Sequence, residues 1–217
     1  MSKYYLFSGI DKEKGFTKKQ ALYIKKDLKE DIIITYIASS FDNYDINDNY
    51  FNNMINFFNN IKVKVKKSYL IDNRVTKNNA KKYINQSDII FIMGGYPYVE
   101  MENIRKYDLI DTLKKYNGII MGVSAGTINM NRAVSFIDKE GKVVNYKGIG
   151  LTDFNIAPHL DLRKKNYLKE IYQISKKRKT IGLPNDSFIV VDNKKINVVG
   201  DYYIFYNETY KKNEPLI

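Results

Sequence analysis

No cysteine occurs in the 217-residue chain, which excludes disulfide frameworks, thiolate nucleophiles and cysteine-ligated zinc together. Any nucleophile must be an oxygen or a lysine. Histidine occurs once, at position 159, so chemistry that needs an imidazole has a single candidate. Long apolar runs are also missing: stretches such as residues 89–93 fall far below the roughly 20 residues needed to span a bilayer. The first seven residues pass directly into a strand-like stretch, with no apolar segment leading to a small-residue cleavage site. These absences lead us to expect a soluble, cytoplasmic protein, in which the sequons at Asn85, Asn185 and Asn207 carry no meaning. No repeat, proline-rich linker or low-complexity tract marks a boundary, and the length suits one α/β domain over residues 1–217.

What is present argues for an ordered core. The chain is 44% hydrophobic and 14% aromatic, enough apolar surface to offset the entropy of ordering it. The net charge of +12 would suit nucleic acid if it were clustered. The lysines are instead scattered among asparagine, isoleucine and tyrosine, and the densest runs, residues 62–67 and 176–179, match no nucleic-acid-binding module. Strand-like and helical patterns alternate through the first 130 residues, which predicts βαβ units and a mostly parallel central sheet with helices on both faces. Strands are expected at residues 4–9, 31–38, 63–71, 88–93 and 118–123, and helices at 17–28, 47–58, 76–84 and 98–116. Beyond a helix beginning near Ala125 the pattern turns to short β-type segments at 134–137, 143–146, 188–191, 195–199 and 202–206, interrupted by a helix over 163–177. A C-terminal part rich in β-hairpins follows from that spacing.

The most informative stretch is Gly122-Val123-Ser124-Ala125-Gly126. It is a G-x-S-x-G sequence between an apolar strand and a helix, the context in which a sharp turn exposes the central serine at the carboxyl end of a sheet. Taken alone, the pattern equally describes a tight turn with a serine helix cap. Two features strengthen the catalytic reading. The apolar run Ile90-Phe91-Ile92-Met93 ends in Gly94-Gly95, where side-chain-free backbone can approach a reacting carbonyl. The amides of Gly95 and Ala125 are therefore candidates for an oxyanion hole. His159, in Ala157-Pro158-His159, is the one base able to take a proton from a serine hydroxyl near neutral pH. A third, acidic member would orient the imidazole; Asp138, Glu140 and Asp161 are the candidates, and spacing does not choose among them.

At these residues the chain resembles the serine peptidases that include dipeptidase E and cyanophycinase. Gly94-Gly95 resembles the family's oxyanion turn, Gly122 to Gly126 its nucleophile motif and Pro158-His159 its histidine motif. Ile181-Gly182-Leu183-Pro184-Asn185-Asp186-Ser187 is similar to its late Gly-Leu-Pro segment. The resemblance implies a fold like that of class I glutamine amidotransferases, with a flavodoxin-like core and serine in place of their cysteine. It implies Ser124 as nucleophile, His159 as general base, Asp138 as third member and the Gly95 and Ala125 amides as oxyanion donors. Arg163 is the residue near His159 to test for binding the substrate. The chain departs from the dipeptidases at Thr127-Ile128-Asn129, which follows the motif where they tend to have Ala-Asn.

The function expected is hydrolysis of short peptides through an acyl-enzyme on Ser124, with no metal or organic cofactor. The expected partner is a short peptide rather than nucleic acid or membrane, and a homodimer is the assembly allowed for. Two rivals remain. An esterase of the α/β-hydrolase type would carry its histidine near the far C-terminus, whereas His159 lies only 35 residues after Ser124. A basic binding protein that kept the scaffold and lost the chemistry would show salt-dependent nucleic-acid binding instead.

Overall fold

Capping and periodicity set the helices, and apolar runs set the sheet. In the computed structural model, which describes residues 2–28, 31–138 and 140–215, the first half of the chain alternates strand and helix. It runs β1 (Lys3–Phe7), α1 (Lys18–Asp27), β2 (Ile32–Ile37), α2 (Tyr44–Asn60), β3 (Val65–Ile71), α3 (Lys77–Gln86) and β4 (Ile89–Ile92). Helices α4 (Pro97–Lys106) and α5 (Ile110–Lys115), strand β5 (Ile119–Val123) and helix α6 (Ala125–Asn129) follow. Thr17 starts α1 with a capping box, its hydroxyl accepting the Gln20 N–H while the Gln20 side chain accepts the Thr17 N–H. Thr76 caps α3 with its hydroxyl alone, which accepts the Asn79 N–H. Pro97 opens α4 at a position where its missing N–H costs nothing.

Seven strands form the central sheet in the order β11-β10-β1-β5-β4-β2-β3, where β10 is Phe188–Asp192 and β11 is Lys195–Val199. Strands β1 to β5 pair in parallel, and β10 and β11 add to the β1 edge as an antiparallel hairpin. This is the mainly parallel α/β sheet that the alternation predicts. Strand β4 is buried along its whole length, as expected where both faces of a parallel sheet are covered. The registers matter for the site. Phe7 lies opposite Val123, and Ile92 opposite Gly122, so β1, β5 and β4 end nearly level at their carboxyl edge.

The structure departs from the sequence reading in two places, the helix expected over residues 98–116 and the C-terminal β part. The single helix expected over residues 98–116 is two helices, because Asp108 adopts φ 55° and ends the run between α4 and α5. Helix α6 is only five residues long. The side-chain amide of Asn131 donates to the carbonyl oxygens of Thr127 and Ile128 at its end, and the chain turns away. A second sheet, in the order β13-β12-β9-β8, was not legible as such. It comprises β8 (Ile156–Ala157), β9 (Thr180–Gly182), β12 (Tyr203–Tyr206) and β13 (Thr209–Lys212). The remaining elements are the hairpin of β6 (Ala133–Ile137) with β7 (Val143–Lys147), and helix α7 (Lys165–Ser175). Among the described residues no helix is long and apolar enough to cross a membrane.

Candidate active site

Ser124 sits immediately after β5 with φ 53° and ψ −108°. A non-glycine residue held there costs on the order of 1–3 kcal/mol, and the neighbouring packing explains how it is kept. The Ser124 N–H donates to the Phe7 carbonyl at 3.1 Å. The Thr127 hydroxyl lies 2.8 Å from that same oxygen and 2.7 Å from the Gly122 carbonyl. A methyl group on Gly126 would stand 2.3 Å from the Ile92 carbonyl oxygen, and one on Gly122 would stand 2.8 Å from the Gly126 carbonyl carbon. Both glycines of the motif are therefore demanded by close approach of backbone, which ties the turn to the ends of β4 and β5.

His159 reaches Ser124 from the second sheet. Strand β8 pairs in parallel with β9, Ile156 opposite Ile181 and Ala157 opposite Gly182, which brings the loops after both strands to one edge. His159, at φ 57°, donates its N–H to the Ser8 hydroxyl at 2.7 Å. Ser8, fully buried, in turn donates to the Leu183 carbonyl at 2.7 Å. With the backbone fixed, the imidazole Nε2 lies 2.8 Å from Ser124 Oγ. Its Nδ1 lies 2.6 Å from Asn185 Oδ1. An amide oxygen can only accept, so Nδ1 carries the proton and Nε2 presents its lone pair to the serine hydroxyl. Gly9 leaves the room for this: a methyl group there would lie 2.9 Å from Asn185 Oδ1 and 3.3 Å from the imidazole.

The turn after β4 completes the edge. A methyl group on Gly94 would be 3.4 Å from Ser124 Cβ, and one on Gly95 would be 2.0 Å from Ser39 Oγ. The paired glycines thus lie against Ser124 on one side and the loop after β2 on the other. Ala125 begins α6, so its amide is one that the helix leaves without an intrahelical acceptor.

Residues 12–199 match peptidase family S51. The chain belongs to this family. Two solved structures show the same fold at low identity. A peptidase from an acI-B1 Actinobacterium superposes with a TM-score of 0.71 at 13% identity, covering 98% of this chain and 93% of that one. A proposed peptidase E from Listeria monocytogenes EGD-e gives 0.69 at 14% identity, with 92% and 98% covered. The fold is accordingly the glutamine amidotransferase-like one that the resemblance implied. No curated protein matches the chain by sequence.

In this S51 member, Ser124, His159, Gly95 and Ala125 gather at one edge, whereas the three acids considered as orienting groups do not meet the imidazole. Asp138 accepts the N–H groups of Glu140 and Lys142, both at 2.9 Å, and closes the turn of the β6–β7 hairpin. Glu140 is exposed and pairs with Lys142 at 2.7 Å. Asp161 is held by Arg163, whose Nε and Nη2 fork onto its carboxylate at 2.9 Å each. That guanidinium lowers the Asp161 carboxyl to about 2. Arg163 itself is 90% exposed and committed to this local pair. The place at Nδ1 belongs to Asn185, and the place beneath the His159 backbone to Ser8. Neither was predicted from the sequence: an amide oxygen makes the same hydrogen bond to Nδ1 as a carboxylate, and Ser8 meets only the His159 backbone.

Behind the site, a buried acid joins the two helices that carry it. Glu100 of α4 is fully buried, and its Oε2 accepts from Asn129 Nδ2 of α6 at 2.7 Å. The same nitrogen donates to the Pro97 carbonyl at 2.8 Å, and the Tyr146 hydroxyl donates to Asn129 Oδ1 at 2.6 Å. Burial pushes the Glu100 carboxyl well above the usual range. In front of the site runs a groove of three recesses with shared walls. One of about 490 Å³ lies beside His159 and Asn185, along the lip that carries Lys12 and Lys14. The middle one, of about 350 Å³, shares Ile10 and Lys12 with it. The third, of about 260 Å³, shares Ile46 and Tyr50 with the middle one and ends at Gly94-Gly95.

Proposed function

We propose that this protein is a serine peptidase that hydrolyses short peptides through an acyl-enzyme on Ser124. The observation that carries the reading is the Ser124 Oγ to His159 Nε2 contact of 2.8 Å, in the tautomer set by Asn185. Membership of a peptidase family supports hydrolysis of peptides over esters.

His159 Nε2 takes the hydroxyl proton as Ser124 Oγ bonds to the scissile carbonyl carbon, and the carbonyl π electrons move onto oxygen. In this reading the N–H groups of Gly95 and Ala125 donate to that oxyanion and stabilise the charge as it develops. Collapse restores the carbonyl and breaks the C–N bond, and the imidazolium hands its proton to the leaving nitrogen. Water then attacks the acyl-enzyme with His159 again as base, releasing the acid and restoring Ser124. Asn185 holds the imidazole and its tautomer, but as a neutral amide it supplies no charge to the imidazolium.

Hydrolysis of a dipeptide and tripeptide library by the full chain, alongside Ser124→Ala, tests the proposal. Loss of the nucleophile is expected to lower turnover by at least about 1000-fold with the fold retained by circular dichroism. Unaltered peptidase activity in Ser124→Ala would end the assignment.

A further inference from the structure

The two ends of the groove differ in charge. Beside His159 the lip carries Asp11, Lys12, Glu13 and Lys14, and Asp186 lies across from it. The recess at Gly94-Gly95 is walled instead by Ser39, Asn43, Ile46, Tyr50, Tyr96 and Val99, and none of the described residues lining it is basic or acidic. Ile46 is 63% exposed and Val99 39%, which places them among the few large apolar side chains the fold leaves open to water. Uncovered apolar surface at the mouth of a cleft marks a place where something binds.

No described residue lining this recess carries a positive charge to compensate a negative one. The chain has five arginines, and each is engaged elsewhere. Arg74 forks onto Asp72 and Asp48, and Arg105 bonds Glu102 and the Lys147 carbonyl. Arg132 and Arg178 share Asp153, and Arg163 is held by Asp161. Lys12 lines the middle and His159-side recesses and not this one.

Which part of a peptide meets this recess follows from the order of groups along the edge. The leaving nitrogen must lie at His159 Nε2 to receive its proton, and the carbonyl oxygen at the Gly95 and Ala125 amides. The acyl half then extends away from His159, past Gly94-Gly95. We infer that this recess receives the side chain on the acyl side of the scissile bond and selects an uncharged one, apolar or amide-bearing, over aspartate or lysine. An apolar side chain is desolvated against Ile46, Val99 and the tyrosine rings, and an amide finds the Ser39 hydroxyl and the Asn43 side chain. An ionised side chain would shed its hydration with no opposite charge to replace it.

This inference rests on the peptidase reading, and the experiment separates the two. The full chain is assayed against the dipeptides Phe-Ala, Asn-Ala, Asp-Ala and Lys-Ala, with fluorophosphonate labelling of Ser124 measured on the same preparation. The same panel is run with Ile46→Arg, a change at an exposed position near the start of α2. We expect kcat/KM for Phe-Ala or Asn-Ala to exceed that for Asp-Ala by on the order of 100-fold. Ile46→Arg, which brings a cation to the recess, should narrow that gap by about tenfold or more. Asp-Ala as the preferred substrate of a protein whose Ser124 labels would overturn the inference and leave the peptidase reading standing. A labelled protein that turns over none of the four would overturn it equally. Failure of both labelling and turnover would strike the reading beneath, and the inference with it.

Discussion

At the residue scale, the site turns on which atom faces each imidazole nitrogen. Asn185 Oδ1 at Nδ1 and Ser124 Oγ at Nε2 leave one productive tautomer, and that is the whole of Asn185's task, since an amide does not ionise. Asn185→Ala is therefore expected to lower kcat by roughly 10- to 100-fold with KM little changed. Asn185→Asp keeps an acceptor at Nδ1 and should retain most of the turnover. Steady-state kinetics on the pair check this, and equal losses in both variants would show that Asn185 does not act through the histidine. The approach of Ser124 and His159 was legible in the sequence, because the glycines around Ser124 answer to a steric demand and the chain holds no second histidine. Asn185 was not, because an asparagine in a Leu-Pro-Asn-Asp loop reads as a turn residue until another strand brings a histidine against it.

Short elements assemble the site, and these are the ones a periodicity argument loses. Strands β1, β2, β4 and β5 were readable as apolar runs between helices, and they set the level edge on which Ser124 and Gly94-Gly95 stand. The two-residue β8 and three-residue β9 that carry His159 and Asn185 are too brief to show an alternation. Their pairing is decided by tertiary contact. The link between α4 and α6 through Glu100 and Asn129 has a consequence for stability. Glu100 keeps its proton in the folded state above the ordinary glutamate range near 4.3. The unfolded chain therefore binds fewer protons there, and stability falls as pH rises above that range until the folded acid also ionises. One such group contributes a slope of up to about 1.4 kcal/mol per pH unit. Glu100→Gln should flatten the fall, measured as denaturant midpoints from pH 4 to 8 against the unaltered protein. Parallel curves for the two would contradict a neutral buried acid.

At the scale of the whole molecule, the site draws on nearly the full length of the chain. Ser8 and Gly9 follow the first strand, Gly94-Gly95 the fourth and Ser124 the fifth, while His159 and Asn185 come from the second sheet. The scaffold places these at the carboxyl edge of a parallel sheet, where open α/β folds bind their ligands, and the recesses with shared walls reach Gly9, His159 and Asn185 at one end and Gly94-Gly95 at the other. Incubation with a serine-directed fluorophosphonate, followed by mass spectrometry of the digested protein, shows whether this edge activates Ser124. A single adduct on Ser124 that is lost in His159→Ala is expected. No adduct on Ser124 under conditions that label a control serine peptidase, or labelling that persists undiminished without His159, would contradict it.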